Sequence, residues 1–206
     1  MRIDPHVHTS ASFDCLVAPL DVAKRCSRLG LAPIFVTDHD TIAGAVEIKR
    51  SGVADVVIGE EIATRDGELI GLFLERELPP GLSARETVDR IHAQGGVVYL
   101  EHPFDTRRRA LSQAALERIA DDIDVVEVTN PRSTDRHNQQ AADLALTLGV
   151  PAAGGSDAHA AGDIGSVHME MSPFSDRESF LASLSDARIV NGRNRFLLMA
   201  EARLRW

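Results

Sequence analysis

The chain has 206 residues, 44% of them hydrophobic and 26% charged, which fits one globular domain with one core rather than a disordered or fibrous chain. Its formal net charge of −9 argues against broad, sequence-independent attachment to nucleic acid, because that attachment needs a Lys/Arg surface that releases counterions. No apolar run reaches the length of a membrane span, and Asp4 and His6 stand where a signal peptide needs apolar residues. Cys15 and Cys26 form no C-x-x-C motif, so the expected setting is the cytoplasm, with two reduced and buried thiols.

The chain opens on Arg2-Ile3-Asp4-Pro5-His6-Val7-His8. Side chains alternate along a strand, so Asp4, His6 and His8 are expected on one side and Ile3 and Val7 on the other. Two histidines two apart can aim their nitrogens at one cation, although a solvated edge strand carries the same pattern. A small polar loop over 9–15 leads to an amphipathic helix over 19–29, stopped by Gly30. Residues 32–37 are an apolar run suited to a parallel strand buried on both faces. It ends in Asp38-His39-Asp40. A helix capped by Thr41 follows to about residue 50, then a strand over 53–62, a tight turn at Arg65-Asp66-Gly67, and a returning strand over 68–74. Ser83 and Glu86 form a capping box for the next helix. A strand over 97–100 ends in Glu101-His102-Pro103, a helix covers about 112–120, and a strand over 124–128 ends near Asn130 and Arg132. A helix over 135–148 leads to a strand over 150–153, which ends in Ser156-Asp157-Ala158-His159. The remainder reads as a short strand over 166–171, a helix capped by Ser175 and Glu178, and a basic helix from about residue 193.

Alternation of strand and helix predicts a mostly parallel sheet with helices outside and right-handed connections. An open doubly wound sheet and a closed barrel both satisfy that order. The polar residues separate them: His6, His8, Asp14, His39, Glu61, His102, Asp157 and His159 follow at least five different strands. A barrel gathers so many carboxyl ends around one mouth, whereas an open sheet strings them along a crevice. Eight such groups exceed the needs of one ion, and imidazole mixed with carboxylate points to transition metals in a cluster.

The phrases DPHVH, TDHD, GEEI, EHPFD and GSDAH, in this order and at these spacings, resemble the metal-binding motifs of the PHP (polymerase and histidinol phosphatase) family of phosphoesterases. The resemblance spans about residues 2–165 of a single domain over 1–206, leaving 166–206 as C-terminal strand and helix elements. It implies a distorted seven-stranded β/α barrel, two or three divalent ions (zinc, manganese or iron) at its carboxyl mouth, and phosphate-ester hydrolysis by a metal-bridging hydroxide. Carried over position by position, it implies a first metal on His6, His8, Glu61 and Asp157. Glu61 bridges to a second held also by His102, and a third sits among Asp14, His39 and His159. One position departs from the family: many members have a further histidine on the strand that here reads Glu68-Leu69-Ile70-Gly71-Leu72-Phe73-Leu74. The second site is thus short of a protein ligand. Glu101 is either a carboxylate donor for it or an exposed or supporting group.

Cations that bridge a water lower its pKa toward about 7, and a further cation with an arginine neutralises charge on the phosphoryl oxygens. Arg108 and Arg132 are the phosphate-binding candidates, each with the alternative of a plain surface cation, and Arg107 and Arg109 rank below them. Asp4 is expected to support a metal-bound histidine, Asp38 or Asp40 to orient His39, and Glu61 rather than Glu60 to face the site. His92, His137 and His168 are expected to be structural or solvated. The leading functional expectation is a phosphatase or phosphodiesterase for a small phosphorylated metabolite or nucleotide, with no membrane partner and the oligomeric state left open. The alternatives are a nuclease on short RNA or DNA ends, hinted at by the arginines at 107–109, and a non-catalytic metal-stabilised binding or regulatory module.

Overall fold

Residues 1–192 are described by a computed structural model. Its first half runs β1 (Arg2–Ile3), α1 (Pro19–Leu29), β2 (Ile34–Val36), α2 (Ala43–Ser51), β3 (Val56–Thr64), β4 (Gly67–Leu72) and α3 (Ala84–Ala93). The second half runs β5 (Val97–Leu100), α4 (Gln113–Ile119), β6 (Val125–Thr129), α5 (Asp135–Leu148), β7 (Ala152–Gly154), β8 (Val167–Glu170), α6 (Arg177–Ser183) and β9 (Arg188–Asn191). The capping box at Ser83 and Glu86 forms as expected. Two caps move: α2 begins at Ala43 after Ile42, with the Thr41 hydroxyl accepting from the Ala43 N–H, and Asp176 with Ser179, not Ser175 with Glu178, caps α6. β9 was not expected from the sequence, and the basic helix expected from about residue 193 lies outside the described residues.

Strands β2 to β7 form one six-stranded sheet in sequence order, curled into a half-barrel. β2 and β3 are parallel, as are β5, β6 and β7, while β4 runs antiparallel to both its neighbours. The short turn after Thr64 dictates this, because a parallel return needs a crossover of a dozen or more residues. The five codirectional strands therefore end at one edge.

The seven-stranded barrel expected from the sequence is not what the regular strands make. β1 retains only Arg2 and Ile3 and pairs antiparallel with β8, in a separate sheet ordered β1-β8-β9. Pro5 has no N–H for a ladder, and residues 4–8 keep a single isolated bridge, Val7 with Ala158. The Thr37 N–H donates to the Val7 carbonyl at 2.9 Å and the His8 N–H to the Ala158 carbonyl at 3.0 Å, which strings the segment between the two edges of the larger sheet.

Period-two alternation divides the core. Ile58, Ile62, Val98, Leu100 and Val126 face outward onto Val22, Cys26, Ile48, Val88, Ile91 and Ile119 of the helices. Phe35, Val57, Ile70, Leu72, Val97, Tyr99 and Val125 face inward and meet Ile3, Met169 and Phe180. Cys15 and Cys26 are free and buried, as expected. Among the described residues no helix is long and apolar enough to cross a membrane.

Asp4 pins the first segment to the turn after β7. Its carboxylate accepts from the Ser156 N–H at 2.9 Å, the Ser156 hydroxyl at 2.5 Å and the Gly165 N–H at 2.8 Å. Asp4→Ala leaves these buried donors unpaired and is expected to lower the unfolding free energy by about 2–4 kcal/mol. Urea denaturation reads this directly, and a midpoint equal to that of the wild type would refute the role.

Candidate metal centre

The inner face of the large sheet changes character toward its mouth. Inward positions read Val57, Gly59, Glu61 on β3, Val97, Tyr99, Glu101 on and just past β5, and Val125, Glu127 on β6. On β4, which runs the other way, they read Leu72, Ile70, Glu68. Alternation thus sets four carboxylates above an apolar floor, with Glu61, Glu101 and Glu127 each 1% exposed and Glu68 8%.

The imidazoles come in over these carboxylates. His6 and His8 bring their Nε2 atoms to 3.2 Å from each other. Glu61 Oε2 lies 3.1 Å from the first and 3.2 Å from the second, and Asp157 Oδ1 lies 3.6 Å from each. The other Glu61 oxygen is 3.3 Å from His102 Nε2. Further out, Asp14 Oδ2 lies 2.9 Å from His159 Nε2 and 3.5 Å from His39 Nε2. Ligand-type atoms form four overlapping groups, each within 4.8 Å: His8-Asp14-His39-His159, His6-His8-Glu61, His6-His102-Asp157 and Glu61-Glu101-His102. All eight residues singled out in the sequence therefore meet at one mouth. His8 joins the outer group as well as the inner one, and Glu101 joins the group of Glu61 and His102.

This donor set fits divalent cations. Burial lowers the His6 imidazole, but the neighbouring carboxylates of Glu127 and Glu61 outweigh it and raise the group to about 10, so the site favours positive charge at His6. Burial drives His39, His102 and His159 down, the last to about 3, leaving neutral imidazoles of the kind that metals bind. His102 and Asp157 hold left-handed backbone, φ 25° and 51°, a conformation that non-glycine residues rarely adopt and that clusters at functional sites.

The groups behind the imidazoles differ from the sequence expectation. His6 Nδ1 donates to Glu127 Oε1 at 3.0 Å, and that oxygen also accepts from the Tyr99 hydroxyl at 3.2 Å. Glu127 Oε2 accepts from Asn130 Nδ2 at 2.8 Å and from the His102 N–H at 3.1 Å. The carboxylate supporting His6 is thus Glu127; Asp4 reaches only the His6 backbone N–H, at 3.5 Å. Glu127 belongs to no motif, and the sequence marks it only as the polar position of a predicted strand. His8 Nδ1 pairs with Ser12 Oγ at 3.2 Å, and that hydroxyl is held by Asp38. Asp38 also locks Thr9, and Asp40 accepts from the Ala63 N–H, so neither orients the His39 ring. Glu60 faces outward to the Leu78 N–H, as expected.

Both candidate arginines reach the mouth. Arg108 pairs with Asp157 Oδ2 and donates to Asn130 Oδ1 at 3.2 Å and Ser133 Oγ at 3.1 Å. Arg132 lies against His159 Nδ1 and donates at 3.3 Å to the Asp157 carbonyl; that carbonyl also accepts from His159 Nδ1 at 3.0 Å, which leaves Nε2 as the free acceptor. They line a cavity of about 230 Å³ with Phe13, His39, Glu61, Glu68, Arg109 and Asp157. Arg107 turns to Asp105, at 3.0 Å. His92 pairs with Asp124 at 3.0 Å, His168 lies 3.0 Å from the Gly165 carbonyl and His137 3.8 Å from Asp105, each outside the ligand groups.

A half-barrel sheet with histidines and carboxylates converging at its mouth defines the class: the chain belongs to the PHP family of metal-dependent phosphoesterases. A family model described as PHP-associated matches residues 135–189. An uncharacterized protein of Methanocaldococcus jannaschii is 39% identical over 150 residues, covering 66% of this chain and 85% of that one. A Bifidobacterium adolescentis protein assigned as a metal-dependent phosphoesterase superposes with TM-score 0.62 at 19% identity, over 77% of this chain and 88% of that one. The lesion-specific endonuclease of Pyrococcus furiosus superposes with TM-score 0.66 at 17% identity, over 92% of this chain and 58% of its own.

Glu127→Gln keeps the size of the side chain but removes the charge behind His6. It is expected to weaken Mn²⁺ binding about 10–100-fold with the circular dichroism unchanged. Calorimetric titration showing wild-type affinity would contradict this.

Proposed function

We propose that the chain is a hydrolase of phosphate esters, a phosphatase or phosphodiesterase that works with two or three divalent cations. His6, His8, Glu61 and Asp157 hold the first, Glu61 bridges to a second on His102, and Asp14, His39 and His159 hold a third. Zinc, manganese and iron suit this mixture of imidazole and carboxylate. The supporting observation is the convergence of imidazole nitrogens and carboxylate oxygens from widely separated strand ends into overlapping groups. In this reading residues 4–8 serve as a seventh stave that completes the ring.

Cations held there supply a water of lowered pKa and offset charge on the phosphoryl group. The protein's own groups position and neutralise. Arg108, steadied by Asn130 and Ser133, and Arg132, at the rim, offer forked donors to phosphoryl oxygens. Asp157 divides its oxygens, Oδ1 toward His6 and His8 and Oδ2 toward Arg108 and Asn130, so cation and phosphate sites share one anchor.

A small phosphorylated metabolite or nucleotide matches the cavity of about 230 Å³. Phe13 is 85% exposed, with its ring centroid 5.1 Å from that of His39, and offers a face on which a base can stack. Nuclease action on short RNA or DNA ends is the second reading, favoured by the exposed guanidiniums of Arg109 and Arg132 at the mouth and by the likeness to the Pyrococcus furiosus endonuclease. Two free, buried thiols suit a reducing compartment, the cytoplasm.

With Mn²⁺ added, the protein is expected to hydrolyse p-nitrophenyl phosphate or bis-p-nitrophenyl phosphate, to lose turnover with EDTA and to regain it with Mn²⁺. His6→Ala or Asp157→Ala should abolish turnover and lower metal content, and His92→Ala should do neither. A metal-replete protein inert toward every ester, nucleotide and oligonucleotide would refute the enzyme reading. Phe13→Ala should raise KM about tenfold for nucleotides and leave KM for sugar phosphates unchanged; equal effects on both would remove Phe13 from substrate recognition.

A further inference from the structure

We infer that Glu101 is a ligand of the second cation, its carboxylate taking the place of the histidine that β4 lacks. The inference rests on the multi-cation reading above and adds a donor to it. Glu101 follows Val97 and Tyr99 in inward parity at the end of β5, and it is 1% exposed. Its Oε2 accepts the Ile70 N–H at 3.0 Å, so the carboxylate leans across onto β4, the strand where a second-site histidine is missing. Its Oε1 is fully buried and has no hydrogen-bond partner. A ligand-type oxygen of Glu101 lies within 4.8 Å of those of Glu61 and His102. A buried carboxylate oxygen with no donor is costly unless a cation or a proton meets it, and no ion pair reaches Glu101 among the described residues.

Glu68 is the rival, since it is also inward and lies on β4 itself. Arg109 reaches its carboxylate at 3.8 Å, and Glu68 belongs to none of the ligand groups. Glu101 therefore completes a site of two carboxylates and one imidazole. Exchanging an imidazole for a second carboxylate hardens the donor set, which moves the preference of this site from zinc toward manganese.

Metal counting on the full chain tests the assignment without reference to turnover. Metal-free wild type, Glu101→Gln and Glu68→Gln are dialysed against Mn²⁺, and bound ions per chain are measured by mass spectrometry, with calorimetry for affinity. Glutamine still accepts from the Ile70 N–H, so a merely structural role survives the change. The expected result is one ion fewer per chain for Glu101→Gln, or at least a tenfold loss on one binding step, with Glu68→Gln at the wild-type count. Wild-type count and affinity in Glu101→Gln would overturn the assignment and leave the multi-cation reading standing; a wild type that binds no divalent ion would overturn both. If Glu101→Gln fails to fold, anomalous difference maps from Mn²⁺-soaked wild-type crystals decide: an ion in contact with Glu101 Oε1 upholds the inference, and ions elsewhere with that oxygen bare refute it.

Discussion

Carboxylates crowded on the inner face of one sheet cannot remain charged beside one another unless positive charge lies between them. Two unit charges 4 Å apart repel by about 4 kcal/mol at an effective dielectric near 20, comparable to the loss of a well-packed core side chain. Glu61, Glu101, Glu127 and Asp157 meet this constraint at a mouth closed below by Tyr99, Ile70 and Phe35. Three of them meet it through neighbouring polar groups. Glu127 is saturated by His6, Tyr99, Asn130 and the His102 N–H. One oxygen of Asp157 is taken by Arg108 and Asn130. Glu61 faces His6, His8 and His102 at once and is held well below the usual carboxylate range, despite a burial that works in the opposite sense.

How much of this is legible in the sequence depends on whether a residue's role is set locally. His39, His102, Asp157 and His159 follow within a few residues of apolar runs that alternate with helices, so their place at the mouth follows from strand direction. Glu127 sits within Val-Val-Glu-Val-Thr, which by itself reads as a strand with one polar face; its inward orientation appears only when Val125 is known to join the inner cluster. The same parity sets Glu61 inward and Glu60 outward, where one step of register exchanges their roles. Asp4 shows the opposite failure. Ideal alternation would put it beside His6, but Pro5 interrupts the ladder, and the carboxylate turns instead to Ser156 and Gly165.

The missing seventh strand has the same origin. Residues 4–8 bond to Thr37 on one side and Ala158 on the other, but a segment that must deliver two imidazoles between two strand edges cannot also keep a regular ladder. The positive φ at His102 and Asp157 breaks the local rule for the same reason, since both swing a ligand-type side chain into the mouth just where a strand ends. No propensity scale predicts such conformations, because surrounding hydrogen bonds impose them: the His102 N–H is taken by Glu127, and the Asp157 carboxylate by Arg108 and Asn130.

Burial falls from the inner groups to the outer one, and this gradient separates their tasks. The side chains of His6, His8, Glu61 and Asp157 are at most 2% exposed, whereas Asp14 is 33% and His39 and His159 are 12% and 15% exposed. A cation among the inner groups sits in a dry, fixed frame, and one among the outer groups stays open to water and ligand exchange. Arg132 joins the two levels, since it lies against His159 Nδ1 and donates to the Asp157 carbonyl. The outer imidazole keeps Nε2, its nitrogen nearer Asp14, turned toward the mouth, because Nδ1 donates to the Asp157 carbonyl at 3.0 Å.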